Sequence, residues 1–352
     1  MVYNDAMKYN RLGRTDLQVS QICLGTMTWG QQNSREEAFA QMDYAIDQGV
    51  NFFDTAELYA IPPKAETYGA TETIIGQWFK ATGKRNEVIL ASKVCGPTDW
   101  CPHIRDGKAH LDRKNIIAAC EASLRRLQTD HIDLYQTHWP DRSTNYFGRL
   151  GYQHKREESA TSIDETLEAL AELVQSGKIS HAAISNETPW GAMQYLNLAE
   201  TAGLPRIASI QNPYNLLNRS YEIGLAEISC REQVGLLAYS PLAFGTLSGK
   251  YLNGERPHAA RLTLFDSYTR YSGARGLEAT AAYVEIADKY GINPAQMALA
   301  FIRQQPFVTS TIIGATNMGQ LTDNISSHGV ELSHECISDI ENVHNNNPNP
   351  CP

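Results

Sequence analysis

The stretch "NFFDTAELYAIPPKAETYGATETIIGQWFKATG", residues 51–83, reads as one strand, one loop and one helix. "NFFDTA" is a short apolar run of the kind a buried strand needs. "TETIIGQWFKATG" has helical spacing of its apolar residues and a glycine at its end. Asp54 closes the apolar run, where an unpaired carboxylate is expensive, so the fold has to supply it with a partner.

The same strand-then-helix unit recurs on both sides of this stretch. "QICLGTM" precedes "SREEAFAQMDYAIDQG", "VILASKV" precedes "DRKNIIAACEASLRRLQ", and "IDLYQTHW" precedes "SIDETLEALAELVQSGK". Further along, "ISHAAIS", "IASIQN", "LLAYSPL" and "TSTIIGA" are followed by "TPWGAMQYLNLAETAG", "RSYEIGLAEISCREQ", "GLEATAAYVEIADKYG" and "NMGQLTDNISSHG". Several strands are apolar almost throughout, which implies a sheet covered on both faces and therefore parallel. Eight such units predict an α/β chain closed into a (β/α)8 TIM barrel rather than an open doubly wound sheet. The whole chain, 1–352, is expected to form one barrel domain. "MKYNRLGRTDLQVS" reads as a hairpin plugging the barrel's N-terminal end. Long connections at 141–161 and 243–275 follow the fourth and seventh strands, on the face where barrel enzymes carry their sites. The tail "NNNPNPCP" is polar and proline-broken, and is expected to be mobile.

Composition narrows the function classes. The 352 residues carry a formal charge of −9 and are 42% hydrophobic. An acidic chain without basic runs argues against nucleic acid or an anionic membrane as partner. "MVYNDAMKYNRLG" has no apolar signal-peptide core, and no run approaches the length of a membrane span. The seven cysteines are scattered without C-x-x-C spacing, which suits reduced thiols and a cytoplasmic location. Oligomeric state is not legible.

Polar residues gather at consecutive strand ends: Asp54, then Tyr59 in the following loop, Lys93 in "ILASKV" and His138 in "LYQTHW". A strand-end Asp is often a cap, and a lone His is more often a core residue than a catalyst. Four such residues on three adjacent strand ends make the bland reading hard to keep. A free tyrosine is a poor acid at neutral pH, and an adjacent ammonium is expected to bring its pKa toward the working range. Asp54 would keep that Lys93 charged, and His138 would position a substrate oxygen. The set suits proton donation to a carbonyl and contains no nucleophile.

Two other motifs read as decoys. "GTLSGKY" at 245–251 lacks the spacing of a phosphate loop and the Ser or Thr that binds Mg²⁺. Cys95, Cys101, His103 and His110 fit no standard zinc pattern, so no metal is expected. No G-x-G-x-x-G follows a strand.

"LGTMTWG", "DTAELY", "ILASKV", "LYQTHWP", "AISN", "IQNPYNLLNR", "AYSPLAFGTLSGKY" and "IIGATNMGQLTDN", in that order, resemble the signatures of the aldo-keto reductase family. The details look closest to its Tas-like bacterial branch, with the potassium-channel β subunits more distant. The resemblance implies a barrel that binds NADP(H) without a Rossmann domain and reduces aldehydes or ketones to alcohols. It implies a catalytic tetrad of Asp54, Tyr59, Lys93 and His138, with Tyr59 as proton donor. Cofactor contacts are implied at Gly25, Thr26 and Met27. Ser185, Asn186 and Gln211 match the positions that hold the nicotinamide carboxamide, and Tyr239 the ring that stacks on it. Ser240, Pro241, Leu242, Gly245, Lys250 and Arg261 match the phosphate clamp; Gly314, Thr316, Gln320, Asp323 and Asn324 match the adenosine end. Many members carry Arg where this chain has Gln320, and Glu where it has Asp323; the channel-type relatives share the glutamine. Trp29, Tyr59, His138 and Trp139 are expected at the substrate pocket, with Trp100, Tyr146 and Phe147 as an aromatic mouth for hydrophobic carbonyls. The channel-type likeness also permits an alternative, a regulatory subunit that senses NADPH with little turnover.

Overall fold

The computed structural model describes residues 6–155 and 160–352. The first five residues of the N-terminal stretch and residues 156–159 of the 141–161 connection lie outside the described residues. Eight strands form a closed parallel barrel in chain order: β3 (Ile22–Gly25), β4 (Phe52–Asp54), β5 (Ile89–Val94), β6 (Ile132–Thr137), β7 (Ile179–Ser185), β8 (Ser209–Pro213), β9 (Gly235–Tyr239) and β10 (Val308–Ile313). β10 pairs with β3 to complete the ring. The (β/α)8 TIM barrel expected from eight alternating units is the fold.

The hairpin β1 (Tyr9–Arg11) and β2 (Gln18–Ser20) precedes the barrel and is antiparallel. Leu12 and Val19 pack against Cys23, Phe52, Ala91, Leu134 and Leu237, the inward residues low in the strands, so the hairpin plugs the bottom. Gly13 has φ +58°, and a Cβ there would lie 2.4 Å from the Ala208 carbonyl oxygen. Only glycine allows that approach.

Around the barrel stand α1 (Arg35–Asp47), α2 (Ala70–Thr82), α3 (Arg113–Leu127), α4 (Ile163–Gln175), α5 (Pro189–Ala202) and α6 (Leu225–Glu232). They are followed by α7 (Arg261–Leu264), α8 (Ala274–Tyr290), α9 (Pro294–Arg303), α10 (Met318–Ser326) and α11 (His334–Asn346). Side-chain caps set several starts: Ser34 with a capping box, Asp112, Ser162, and Thr188 before Pro189. Three helices go beyond the strand–helix units read from sequence: α7, a single turn in the loop after β9, and the longer α9 and α11. α9 opens with Asn293 as cap and Pro294 in its first turn, and every residue from Met297 to Arg303 is buried. A helix covered on all sides offers no polar stripe to read. α11 is capped by Ser333 and buries Cys336 and Ile340.

The tail is not the free segment expected from its composition. Cys351 is buried, and its backbone N–H donates to the Leu217 carbonyl at 3.0 Å. Asn349 Oδ1 accepts from the Arg219 N–H at 2.6 Å, and Arg270 Nε donates to the Pro352 oxygen at 3.2 Å. Gly276 makes room for this packing: a Cβ there would lie 2.4 Å from Cys351 Sγ. Side-chain partners on neighbouring loops outweigh the polar, proline-broken composition.

The barrel interior is layered by strand alternation. Phe52, Ala91, Leu134, Ala183 and Leu237 belong to the lower apolar layer. Two residues later, on the same inward face, each strand presents a polar group: Asp54, Lys93, Gln136, Ser185 and Tyr239. The polar layer therefore lies at the strands' C-terminal ends, directly above an apolar floor.

Candidate active site

Lys93 is fully buried, and its Nζ donates to Asp54 Oδ2 at 2.6 Å and to the Thr55 carbonyl at 2.8 Å. That pair gives the strand-end aspartate its partner. Nζ also stands 3.4 Å from the Tyr59 hydroxyl and 4.9 Å from the centre of its ring. The other carboxylate oxygen, Asp54 Oδ1, accepts from Gln211 Nε2 at 2.8 Å and Gln136 Nε2 at 3.3 Å. Gln136, which the sequence reading passed over, is placed beside Lys93 by the β5–β6 register. Its position two residues before His138, on the same strand face, was a usable signal.

Electrostatics sort the titrating groups. Burial by itself pulls the Lys93 ammonium down, but Asp54 and then Tyr59 outweigh it and hold the group above its ordinary value. Burial pushes the Tyr59 hydroxyl up from 10.0; Lys93 opposes that shift and Asp54 adds to it. The net direction is upward, which corrects the expectation that Lys93 brings this tyrosine toward neutral pH. Burial outweighs the adjacent ammonium, and the hydroxyl stays protonated across the physiological range. His138 is held well below 6.5, first by burial and then by Lys93, so its imidazole is neutral. Its ring lies edge-on to Tyr59 with centroids 5.8 Å apart, and Nδ1 has no hydrogen-bond partner among the described residues.

Above this floor opens a cavity of about 1080 Å³. Asp54, Tyr59 and His138 line it at one end, with Gly25, Thr26 and Met27 beside them. Ser185, Asn186 and Gln211 line the adjoining wall. There Ser185 Oγ donates to the Gln211 carbonyl at 2.8 Å, and Asn186 Nδ2 to the His138 carbonyl at 2.8 Å. The Tyr239 hydroxyl donates to Asn186 Oδ1 at 2.6 Å. Ser240, Pro241, Leu242 and Gly245 continue the wall to Lys250 and Arg261. Gly314 and Thr316, after β10, and Gln320, Asp323 and Asn324, on α10, line it as well. Gln320 Oε1 accepts from the Thr316 N–H at 3.0 Å, and Asn324 Nδ2 donates to the Gly314 carbonyl at 3.2 Å.

Lys250 and Arg261 have no carboxylate partner among the described residues; their recorded contacts are the rings of Tyr251 and Phe244. Burial, then the neighbouring Arg261, lowers the Lys250 pKa, and burial lowers that of Arg261. Two facing cations at the wall of a cavity favour an anion. The donor set therefore fits a dinucleotide: amides, two cations without a carboxylate partner among the described residues, and a helix start line one cavity.

Two tryptophans expected at the substrate pocket lie elsewhere. Trp29 is wholly buried and donates Nε1 to Gln41 Oε1 at 2.9 Å, between the barrel and α1. Trp139 stands behind His138, with centroids 4.9 Å apart and Nε1 donating to the Pro97 carbonyl at 3.2 Å. The alternation that turns His138 to the cavity turns its neighbour into the wall. Of the expected aromatic mouth, Phe147 lines the cavity, packed against Trp139 at 5.6 Å; Trp100 is half exposed outside it. Leu58, Ile61, Leu150 and the tail residues Pro350–Pro352 line it too, none of them singled out from sequence. Of the decoy residues, Cys95 and Cys101 belong to a small apolar cluster, and His110 Nδ1 lies 2.9 Å from Asp141 Oδ1.

Comparison with known proteins gives this geometry its context. The model of the aldo/keto reductase family matches residues 21–345. The chain is 55% identical over 347 residues to "Protein tas" of Escherichia coli (strain K12), covering 98% of this chain and 100% of that one. It is 34% identical to "Uncharacterized oxidoreductase YrpG" of Bacillus subtilis (strain 168), covering 96% of each. Identity is 31% with "Probable voltage-gated potassium channel subunit beta" of Oryza sativa subsp. japonica, over 97% of this chain and 98% of that protein. The chain belongs to the aldo/keto reductase family and is an oxidoreductase barrel.

Proposed function

We propose that the protein reduces aldehyde or ketone carbonyls to alcohols with NADP(H), Tyr59 donating the proton. The observation that carries this reading is the buried Lys93 ammonium, 2.6 Å from Asp54 and 3.4 Å from the Tyr59 hydroxyl, at the floor of a cavity that Lys250 and Arg261 also line. When bound, the nicotinamide supplies the hydride. Ser185, Asn186 and Gln211 offer the amide and hydroxyl groups that would orient its carboxamide. Lys250 and Arg261 would meet phosphate, and they supply the positive charge that Gln320 does not.

As the carbonyl oxygen gains charge, Tyr59 gives up its proton, and the adjacent ammonium stabilises the phenolate left behind. Asp54, fixed by Gln211 and Gln136, keeps Lys93 charged and in place. Neutral His138 hydrogen-bonds the substrate oxygen and does not compete as an acid. Leu58, Ile61, Phe147 and Leu150 form an apolar approach that suits hydrophobic carbonyls.

The test is steady-state oxidation of NADPH and of NADH over a panel of aliphatic and aromatic aldehydes and ketones. Turnover with a preference for NADPH supports the reading; turnover with NADH alone overturns the NADP assignment. The likeness to a probable channel β subunit favours one second reading, a sensor that binds NADPH tightly and turns over slowly. Tight binding without turnover on the whole panel, together with a stoichiometric membrane partner in a pull-down, would select it.

A further inference from the structure

Glu57 is fully buried two residues before Tyr59, and its carboxylate joins three other segments. Arg105 donates Nη1 to Oε2 at 2.7 Å and Nη2 to Oε1 at 2.8 Å. The Cys95 backbone N–H donates to Oε1 at 2.7 Å, and the Tyr68 hydroxyl to Oε2 at 2.9 Å. Glu57's own N–H donates to the Lys93 carbonyl at 3.3 Å. The residue therefore ties the loop that carries Tyr59 to the end of the strand that carries Lys93.

That tie bears on a sensitive distance. At 3.4 Å the Lys93–Tyr59 contact sits at the outer limit of a hydrogen bond, and a small slip of the loop would lose it. The loop after β5 also accepts backbone strain here: Arg105 and Asp106 have φ of 47° and 55°. Left-handed conformations at non-glycine residues cost free energy and persist where the surroundings enforce them. The Tyr59 ring packs against a small apolar cluster that includes Leu58, Cys95, Ile104 and Trp139.

We propose that Glu57 and Arg105 are positioning residues for the Tyr59 hydroxyl: their bidentate pair holds the tyrosine loop against β5 at the separation from Lys93 that proton donation requires. The proposal rests on Tyr59 being the donor. A purely structural ion pair would lower stability without changing the chemistry of the molecules that fold.

The test measures kcat, carbonyl KM, NADPH Kd and Tm for Arg105→Met and Glu57→Gln, each alone and combined with Tyr59→Phe. In the folded single variants kcat should fall about ten- to a hundredfold, with KM and Kd within about twofold, since a misplacement near 1 Å costs on that order. Combined with Tyr59→Phe, neither should lower the residual rate further, because both act through one hydroxyl. An unchanged kcat in folded Arg105→Met, or a full multiplicative loss in the Tyr59→Phe background, overturns the proposal. If Arg105→Met does not fold, Arg105→Lys and Tyr68→Phe give the same readout with milder perturbation. Undiminished turnover in Tyr59→Phe alone would instead remove the donor assignment on which the proposal stands.

Discussion

At the floor of the cavity Lys93, Asp54, Gln136 and Gln211 satisfy one another at 2.6 to 3.3 Å, whereas the loop after β9 brings Lys250 and Arg261 together with no carboxylate partner among the described residues. The first region is built on strand ends, fixed by barrel register, and complete without a ligand. The second is built on a loop and holds charge that no carboxylate among the described residues compensates. Chemistry that must be preorganised is placed on rigid elements, and affinity is left to groups that gain most when a ligand arrives.

If the floor is one preorganised unit, breaking it should be costly in two ways. Lys93→Met removes the countercharge of a buried carboxylate, and the expected loss is about 3–5 kcal/mol of stability with at least a hundredfold lower kcat. Chemical denaturation and single-turnover kinetics check both parts. A variant as stable and active as the parent would show that Asp54 does not depend on Lys93.

The loop should respond differently. Arg261→Leu and Lys250→Met are expected to weaken NADPH binding about ten- to a hundredfold. Turnover at saturating cofactor should stay within a few fold. Fluorescence titration at several salt concentrations reads this, and both variants should show a flatter salt dependence. Unchanged affinity in both would remove the phosphate role and end the contrast between the two regions.

A smaller effect distinguishes buried neutral His138 from a surface histidine. Its folded pKa lies below the unfolded value, so as pH falls below 6.5 the unfolded chain takes up a proton that the folded site resists. Stability should therefore decline below pH 6.5, by up to about 1.4 kcal/mol per unit from this group, until the folded value is reached. His138→Gln should show a shallower decline between pH 6.5 and 5. Equal slopes would mean that His138 titrates normally.

The barrel was legible because each strand and the helix after it obey different periodicities, and the long loops followed from their length. The strand-end set Asp54, Lys93 and His138 was legible because alternation fixes which face a residue takes. Local patterns could not reveal α9, covered on all sides, nor the docked tail, held by Arg219 and Arg270 from distant loops. Trp29 and Trp139 were misplaced for a related reason: a motif places a residue near a site without saying which side of the wall it occupies. The Glu57–Arg105 pair spans 48 positions, and nothing in either segment names the other.

The central claim is that Tyr59 serves chemistry and not cofactor binding, and Tyr59→Phe tests it most directly, with kcat and NADPH Kd measured on the same preparation. The account predicts kcat lower by about two to four orders of magnitude, with Kd within about twofold of the parent. Turnover close to the parent's, or a Kd that collapses along with it, would contradict the account.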